Sequence, residues 1–170
     1  MDFSELIRTR YSARSYESTP VEKEVLERVF NAFVLAPTAA NRQPLGLVVI
    51  ETEGREEELR RIYDRDWFAN QPPIVVCACA DMEACWVRGD GRPYGDVDAT
   101  IAMDHLILAA TEEGLGTCWI GAFDPQAARE ILHLPEHVEP IAFTPLGYPA
   151  DEPGRKVRKD LDEILHHGEW

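Results

Sequence analysis

Arg8, Arg10 and Arg14 fall within seven residues that contain no acid, and Arg155, Lys156, Arg158 and Lys159 fall within five. Guanidinium forks, an ammonium, the Ser12 hydroxyl and loop amides are the donors that the oxygens of a phosphate monoester accept from. The two segments hold seven of the 17 basic residues in a chain with 31 acidic ones and a formal net charge of −14. Cations gathered against the overall sign point to a local anion; the competing reading is a pair of solvated basic faces. A surface this acidic repels polyphosphate at long range, so nucleic acid is not an expected partner.

Other chemistries fail on inspection. Gly114-Leu115-Gly116-Thr117-Cys118-Trp119 starts like a dinucleotide fingerprint, but Trp119 stands where the third glycine belongs and a strand is expected to follow. Asp96 and Asp98 open a calcium-loop pattern that Thr100-Ile101 does not continue. Cys77 and Cys79 sit at strand spacing in an apolar run and read as buried thiols, as does Cys85. His133, His137, His166 and His167 lack zinc-ligand spacing, and His105 reads as a packed helix residue. Arg88-Gly89-Asp90 reads as a turn, and no Gly-x-Ser-x-Gly elbow supplies a serine nucleophile.

The elements that must position the basic segments are legible in the apolar pattern. A short amphipathic start carries Phe3, Leu6 and Ile7. Thr19-Pro20-Val21-Glu22 reads as a capping box with Pro at the first helical position, opening a helix with Val21, Val25, Leu26, Val29, Phe30 and Phe33 on one stripe, bounded by Pro37. Leu47–Ile50 and Ile74–Ala80 read as strands around a charged helix, Arg55–Arg65. Asp96–Glu113 is predicted to be a helix that is apolar nearly all round and hence buried on most sides. A short strand at Thr117–Ile120, a helix from Asp124-Pro125 to Leu132 and a strand at Ile141–Leu146 complete the pattern. No repeat or linker divides residues 1–170, so one α+β domain is expected, with helices on both faces of a sheet. Asp81–Gly95 has no periodicity and is expected to form a mobile cover loop. No apolar run approaches the roughly 18 residues of a membrane span. Four cysteines behind an N-terminus without a signal-like stretch suit a cytoplasmic setting.

Five segments, in order, resemble the FMN-dependent nitroreductases in their short form. Arg10-Tyr11-Ser12-Ala13-Arg14-Ser15-Tyr16 is similar to the family's N-terminal signature, and Ala36-Pro37-Thr38-Ala39-Ala40-Asn41-Arg42-Gln43-Pro44 to its second. Gly114 to Phe123 resembles the third, Leu146-Gly147-Tyr148-Pro149 the fourth, and Lys156-Val157-Arg158 the closing basic pair. Departures are Ala39-Ala40 in place of more polar residues, Val157 and Asp160 in place of prolines, and His105 where Asn is frequent.

The resemblance implies a nitroreductase-like fold, a central and mostly antiparallel sheet flanked by helices, assembled as a homodimer with FMN at the subunit interface. It gives the phosphate to Arg10, Ser12, Arg14, Lys156 and Arg158, within a cofactor-binding set that also contains Tyr11, Asn41 and Gln43. Pro37, Thr38 and Ala39 would reach the flavin from the other subunit, and Gly121 and Ala122 would meet the flavin edge that exchanges hydride. The implied activity passes hydride from NADH or NADPH through the flavin to a small-molecule acceptor, a nitroaromatic, quinone or activated alkene, by a ping-pong scheme without a catalytic side chain. Within Asp81–Gly95, Trp86 and Tyr94 suit stacking on a planar acceptor and Arg88 suits a carboxylate or nitro oxygen. The alternatives are a flavin-binding or interaction module without turnover, and a relative specialised for reductive dehalogenation or oxidation.

Overall fold

β2 (Ile74–Asp81) is apolar and buried from Ile74 to Ala80 because helices cover both of its faces. The computed structural model describes residues 1–170. It pairs β2 antiparallel with β1 (Leu45–Glu51) on one edge and β3 (Val138–Leu146) on the other. Side chains alternate across a strand. Ile74, Val76 and Ala78 accordingly face a core shared with α2 (Lys23–Val34) and α5 (Gly95–Glu112). Val75, Cys77 and Cys79 face the opposite core, with α3 (Glu56–Ile62), α4 (Asp66–Ala69) and α6 (Pro125–Ile131). The Cys77 and Cys79 sulfurs lie 3.6 Å apart inside it. α1 (Phe3–Thr9) precedes this layered body and buries Leu6.

Three expected boundaries shift. α2 begins at Lys23, after Thr19-Pro20-Val21-Glu22, and has no side-chain cap, because its N-cap position falls on Glu22 and leaves Thr19 three residues short of it, where its hydroxyl donates to Glu17. The helix expected over Arg55–Arg65 ends at Ile62, where Tyr63 is extended, and a separate turn, α4, follows at Asp66–Ala69 and carries Phe68 into the core. Thr117–Ile120 is not a strand. Its neighbours change at each step, with single bridges from Thr117 to Ser12, Gly116 to Gly147 and Ile120 to Phe143, while the Cys118 N–H donates to the Thr144 hydroxyl. α5 is buried at Asp98, Ala99, Ala102, Met103, Leu106 and Ala110, and its remaining face carries the half-buried Ile101, His105 and Leu108. No helix is long and apolar enough to cross a membrane.

Candidate functional site

α5 ends at Gly114, whose φ of +78° reverses the chain. The chain then meets the N-terminal basic segment. The Ala13 N–H donates to the Thr117 carbonyl, Ser12 bridges Thr117, Tyr16 bridges Pro149, and the Gly116 N–H donates to the Gly147 carbonyl. These contacts leave no room for a side chain at Gly116. A Cβ there would lie 2.8 Å from Ala13 Cβ and 3.0 Å from Pro149 Cβ. Three of the segments singled out in the sequence thus cross at one point.

The tail closes the same end of α5. Lys156 Nζ donates to the carbonyls of Ile7, Arg8 and Arg10 at 3.1, 2.6 and 2.7 Å, which uses all three ammonium donors on the C-terminal turn of α1 and the residue after it. Lys156 therefore fastens the tail, and its charge adds to the field of Arg10 and Arg158. Desolvation, then repulsion by those two arginines, lowers its pKa. Burial raises the pKa of the Cys118 thiol, against the opposing pull of Arg14, the Ser12 hydroxyl and Arg10. The ion pairs of the chain engage other cations, so Arg10, Arg14, Lys156 and Arg158 have no carboxylate within 4.0 Å. Asp151 turns its carboxylate to the backbone instead, accepting from the Arg14 N–H at 2.8 Å. The Tyr11 hydroxyl donates to the Asp151 carbonyl at 2.7 Å, and burial, then the Asp151 charge, pushes the phenol up to about 12. Tyr11 thus braces the tail.

The second segment lies at the opposite end of α5. Pro37, Asn41 and Gln43 are exposed, and Thr38 and Ala39 are half-buried. The Ala39 N–H donates to Asp98 Oδ1 at 2.8 Å, and the Gln43 N–H donates to the Thr38 hydroxyl at 3.0 Å. Ala40, Asn41 and Gln43 have φ of 51°, 53° and 52°, left-handed backbone that costs about 1–3 kcal/mol for a residue other than glycine. From Asp98 to Glu112 the helix rises about 20 Å at 1.5 Å per residue. One chain therefore places its basic cluster and its Thr38–Gln43 turn at opposite ends of a helix.

Between those ends, Trp119 runs back along α5 and borders an open groove of about 410 Å³ with Thr100, Ile101, Asp104 and His105. Gly121 and Ala122 follow on the surface, and a Cβ at Gly121 would meet nothing closer than Trp119 Nε1 at 4.0 Å. Asp81–Gly95 is not structureless. Val87 pairs with Pro93, and the Arg88 and Tyr94 N–H groups donate to the Arg92 and Trp86 carbonyls, making a short hairpin that leads into α5. Trp86 and Tyr94 pack edge to face with centroids 5.0 Å apart. Arg88 places a fork on Asp90 at 2.9 and 2.6 Å and also donates to the Tyr94 hydroxyl.

Residue patterns missed Asp98, Asp151 and Gly116. Asp98 was visible as an acid inside an apolar helix, whereas the roles of Asp151 and Gly116 depend on which loops cross, and spacing does not report that.

Comparison with known proteins identifies the family of the chain. A model of the family described as "Nitroreductase family" matches residues 7–77 and 66–148. A solved nitroreductase family protein from Clostridium difficile 630 superposes with a TM-score of 0.91 at 36% identity, over 100% of both chains. An NAD(P)H-type FMN reductase of Bacillus subtilis is 29% identical over 171 residues, covering 91% of this chain and 69% of its own. An NADPH-dependent oxidoreductase of Staphylococcus aureus is 25% identical, covering 97% of this chain and 72% of its own.

Proposed function

The chain belongs to the nitroreductase family and is an NAD(P)H-dependent oxidoreductase that works with FMN; from that premise we propose which of its residues hold the cofactor and how the site is completed. The carrying observation is the set of cations at the Gly114 end of α5: Arg10, Arg14 and the Ser12 hydroxyl all act on Cys118, Arg10 and Arg158 both act on Lys156, and none of the three arginines has a carboxylate partner, Arg14 lying over the Trp67 ring and Arg158 donating to the Val157 carbonyl. Unpaired guanidinium groups and a hydroxyl fit a phosphate monoester. Lys156 contributes its charge from its seat on the α1 carbonyls, and Tyr11 and Asp151 hold the tail so that Arg158 stays near Arg10.

FMN held there would supply the redox chemistry that couples oxidation of NAD(P)H to reduction of a nitroaromatic, quinone or activated alkene. The chain provides position and electrostatics. Gly121 and Ala122 offer backbone amides without side-chain bulk, which lets main chain approach a planar ring. The Arg14 charge would favour an anionic ring system held beside it. Trp86 and Tyr94 offer aromatic surface to a planar acceptor. Arg88 would exchange Asp90 for an acceptor carboxylate or nitro oxygen.

A homodimer supplies what one chain separates. The Thr38–Gln43 turn lies about 20 Å along α5 from the basic cluster. Two copies of α5 packed antiparallel about a twofold axis would bring the turn of one chain to the basic cluster of the other, twice over. The half-buried Ile101, His105 and Leu108 and the exposed Trp119 suit such an interface.

Purified protein is expected to be yellow, with about one FMN per chain and a dimeric mass in light scattering. Anaerobic mixing with NADH or NADPH should bleach the flavin absorbance on a catalytic timescale. A colourless protein that takes up no added FMN sinks the cofactor assignment. A bound flavin that neither coenzyme reduces leaves a binding module without turnover. A monomeric mass with flavin bound ends the shared-site reading.

A further inference from the structure

The carboxylate of Asp98 is 1% exposed and makes a single hydrogen bond, accepting the Ala39 N–H at Oδ1, while Oδ2 is buried without a partner. A buried acid that lacks a donor on one oxygen does not serve the stability of its own helix. Its one bond goes to the turn in which Ala40, Asn41 and Gln43 are all left-handed. Such backbone persists only where its surroundings over-determine it, and it concentrates at functional sites. The other hydrogen bonds of this turn, from the Asn41 and Gln43 N–H groups to Thr38, from the Arg42 N–H to the Ala39 carbonyl and from the Gln43 side chain to the Asn41 carbonyl, are internal to it. Asp98 is therefore the side chain that fastens the turn to the body of the protein.

We propose that Asp98 is a positioning residue, a buried acceptor that pins Ala39 and so holds the Thr38–Gln43 turn in the shape it presents to the cofactor. It touches neither cofactor nor acceptor and works through backbone. The inference rests on the reading that this turn faces FMN, but the pin itself is a property of the chain. Acceptor geometry is what matters here, since nothing on the protein meets Oδ2. Asn at this position keeps an oxygen for the Ala39 N–H and should replace Asp, whereas Ala should not. Ala39 is half-buried and outside the two hydrophobic cores, so removal of the pin is expected to leave the fold intact.

The test combines amide hydrogen exchange at Ala39 with FMN affinity by fluorescence titration, in the wild type, Asp98→Ala and Asp98→Asn. Asp98→Ala should speed exchange at Ala39 and weaken FMN binding, each by about three- to tenfold, the worth of one net hydrogen bond, with a cooperative melt retained. Asp98→Asn should restore both to within about twofold of wild type. Unchanged exchange in Asp98→Ala overturns the proposal, as does an Asn variant that behaves like Ala. Loss of cooperative folding in Asp98→Ala also overturns it, because the residue would then support the whole fold and not the turn. If exchange responds as expected while FMN affinity does not, the pin stands and the placement of the turn against the flavin fails.

Discussion

At its C-terminal end α5 hands over to a stretch held by backbone bridges, by packing too close for a Cβ at Gly116, and by a tail fastened through Lys156 and Tyr11. At its N-terminal end the Thr38–Gln43 turn hangs on one carboxylate. The first end is tied to its surroundings by many interactions, the second by its own internal hydrogen bonds and one side chain from α5, against local strain. The proposed site, completed by two copies, tolerates this asymmetry. The charged end must stay rigid so that repelling cations remain in place, while the uncharged end needs only the right backbone shape, which a partner subunit can then hold.

The contrast can be broken most strongly at the charged end. Replacing both Arg10 and Arg158 with Ala should weaken FMN affinity by about 1.5–3 kcal/mol for each charge-assisted hydrogen bond removed, read by fluorescence titration. Unchanged affinity in the double variant would move the phosphate elsewhere. Next comes Gly116→Ala, where the added methyl meets Ala13 and Pro149 at the crossing of three segments. Overpacking of this kind costs about 1–3 kcal/mol, so the urea midpoint should fall and flavin should be released with it. A midpoint equal to wild type would mean that the crossing is softer than its distances imply.

The smallest effect is expected at the hairpin that leads into the N-terminal end. Trp86→Ala removes aromatic surface worth about 0.5–1.5 kcal/mol beyond its area. It should change reoxidation of the pre-reduced enzyme by planar acceptors several-fold while FMN content stays constant. Identical rates across quinones, nitroarenes and enoates would assign the hairpin to structure alone, as its Trp86–Tyr94 packing and Arg88–Asp90 fork already allow.

Much of this is readable from residue order alone. The alternation of Ile74–Ala80 marks a strand covered on both faces, because period two assigns neighbours to opposite cores. Asp124-Pro125 marks the start of α6, since an acceptor side chain and a preset φ act on adjacent residues; Asp124 does accept from the Gln126 and Ala127 N–H groups. The cation count in the two terminal segments needs no structure either, because charge is carried by composition. What local pattern does not supply is the partner of each group. Thr19-Pro20-Val21-Glu22 has the letters of a capping box, but the Thr19 hydroxyl goes to Glu17. Lys156 has the position of a phosphate ligand, and the fold spends its donors on three carbonyls nearly 150 residues away in the chain. Asp98 reads only as part of a calcium-loop pattern that is not continued, and its carboxylate bonds a turn 59 residues earlier. Hydrophobic period and local capping act within a few residues, so sequence determines the elements and the sign of the site. Which donor meets which acceptor across the chain is decided by packing, and only the tertiary structure sets that.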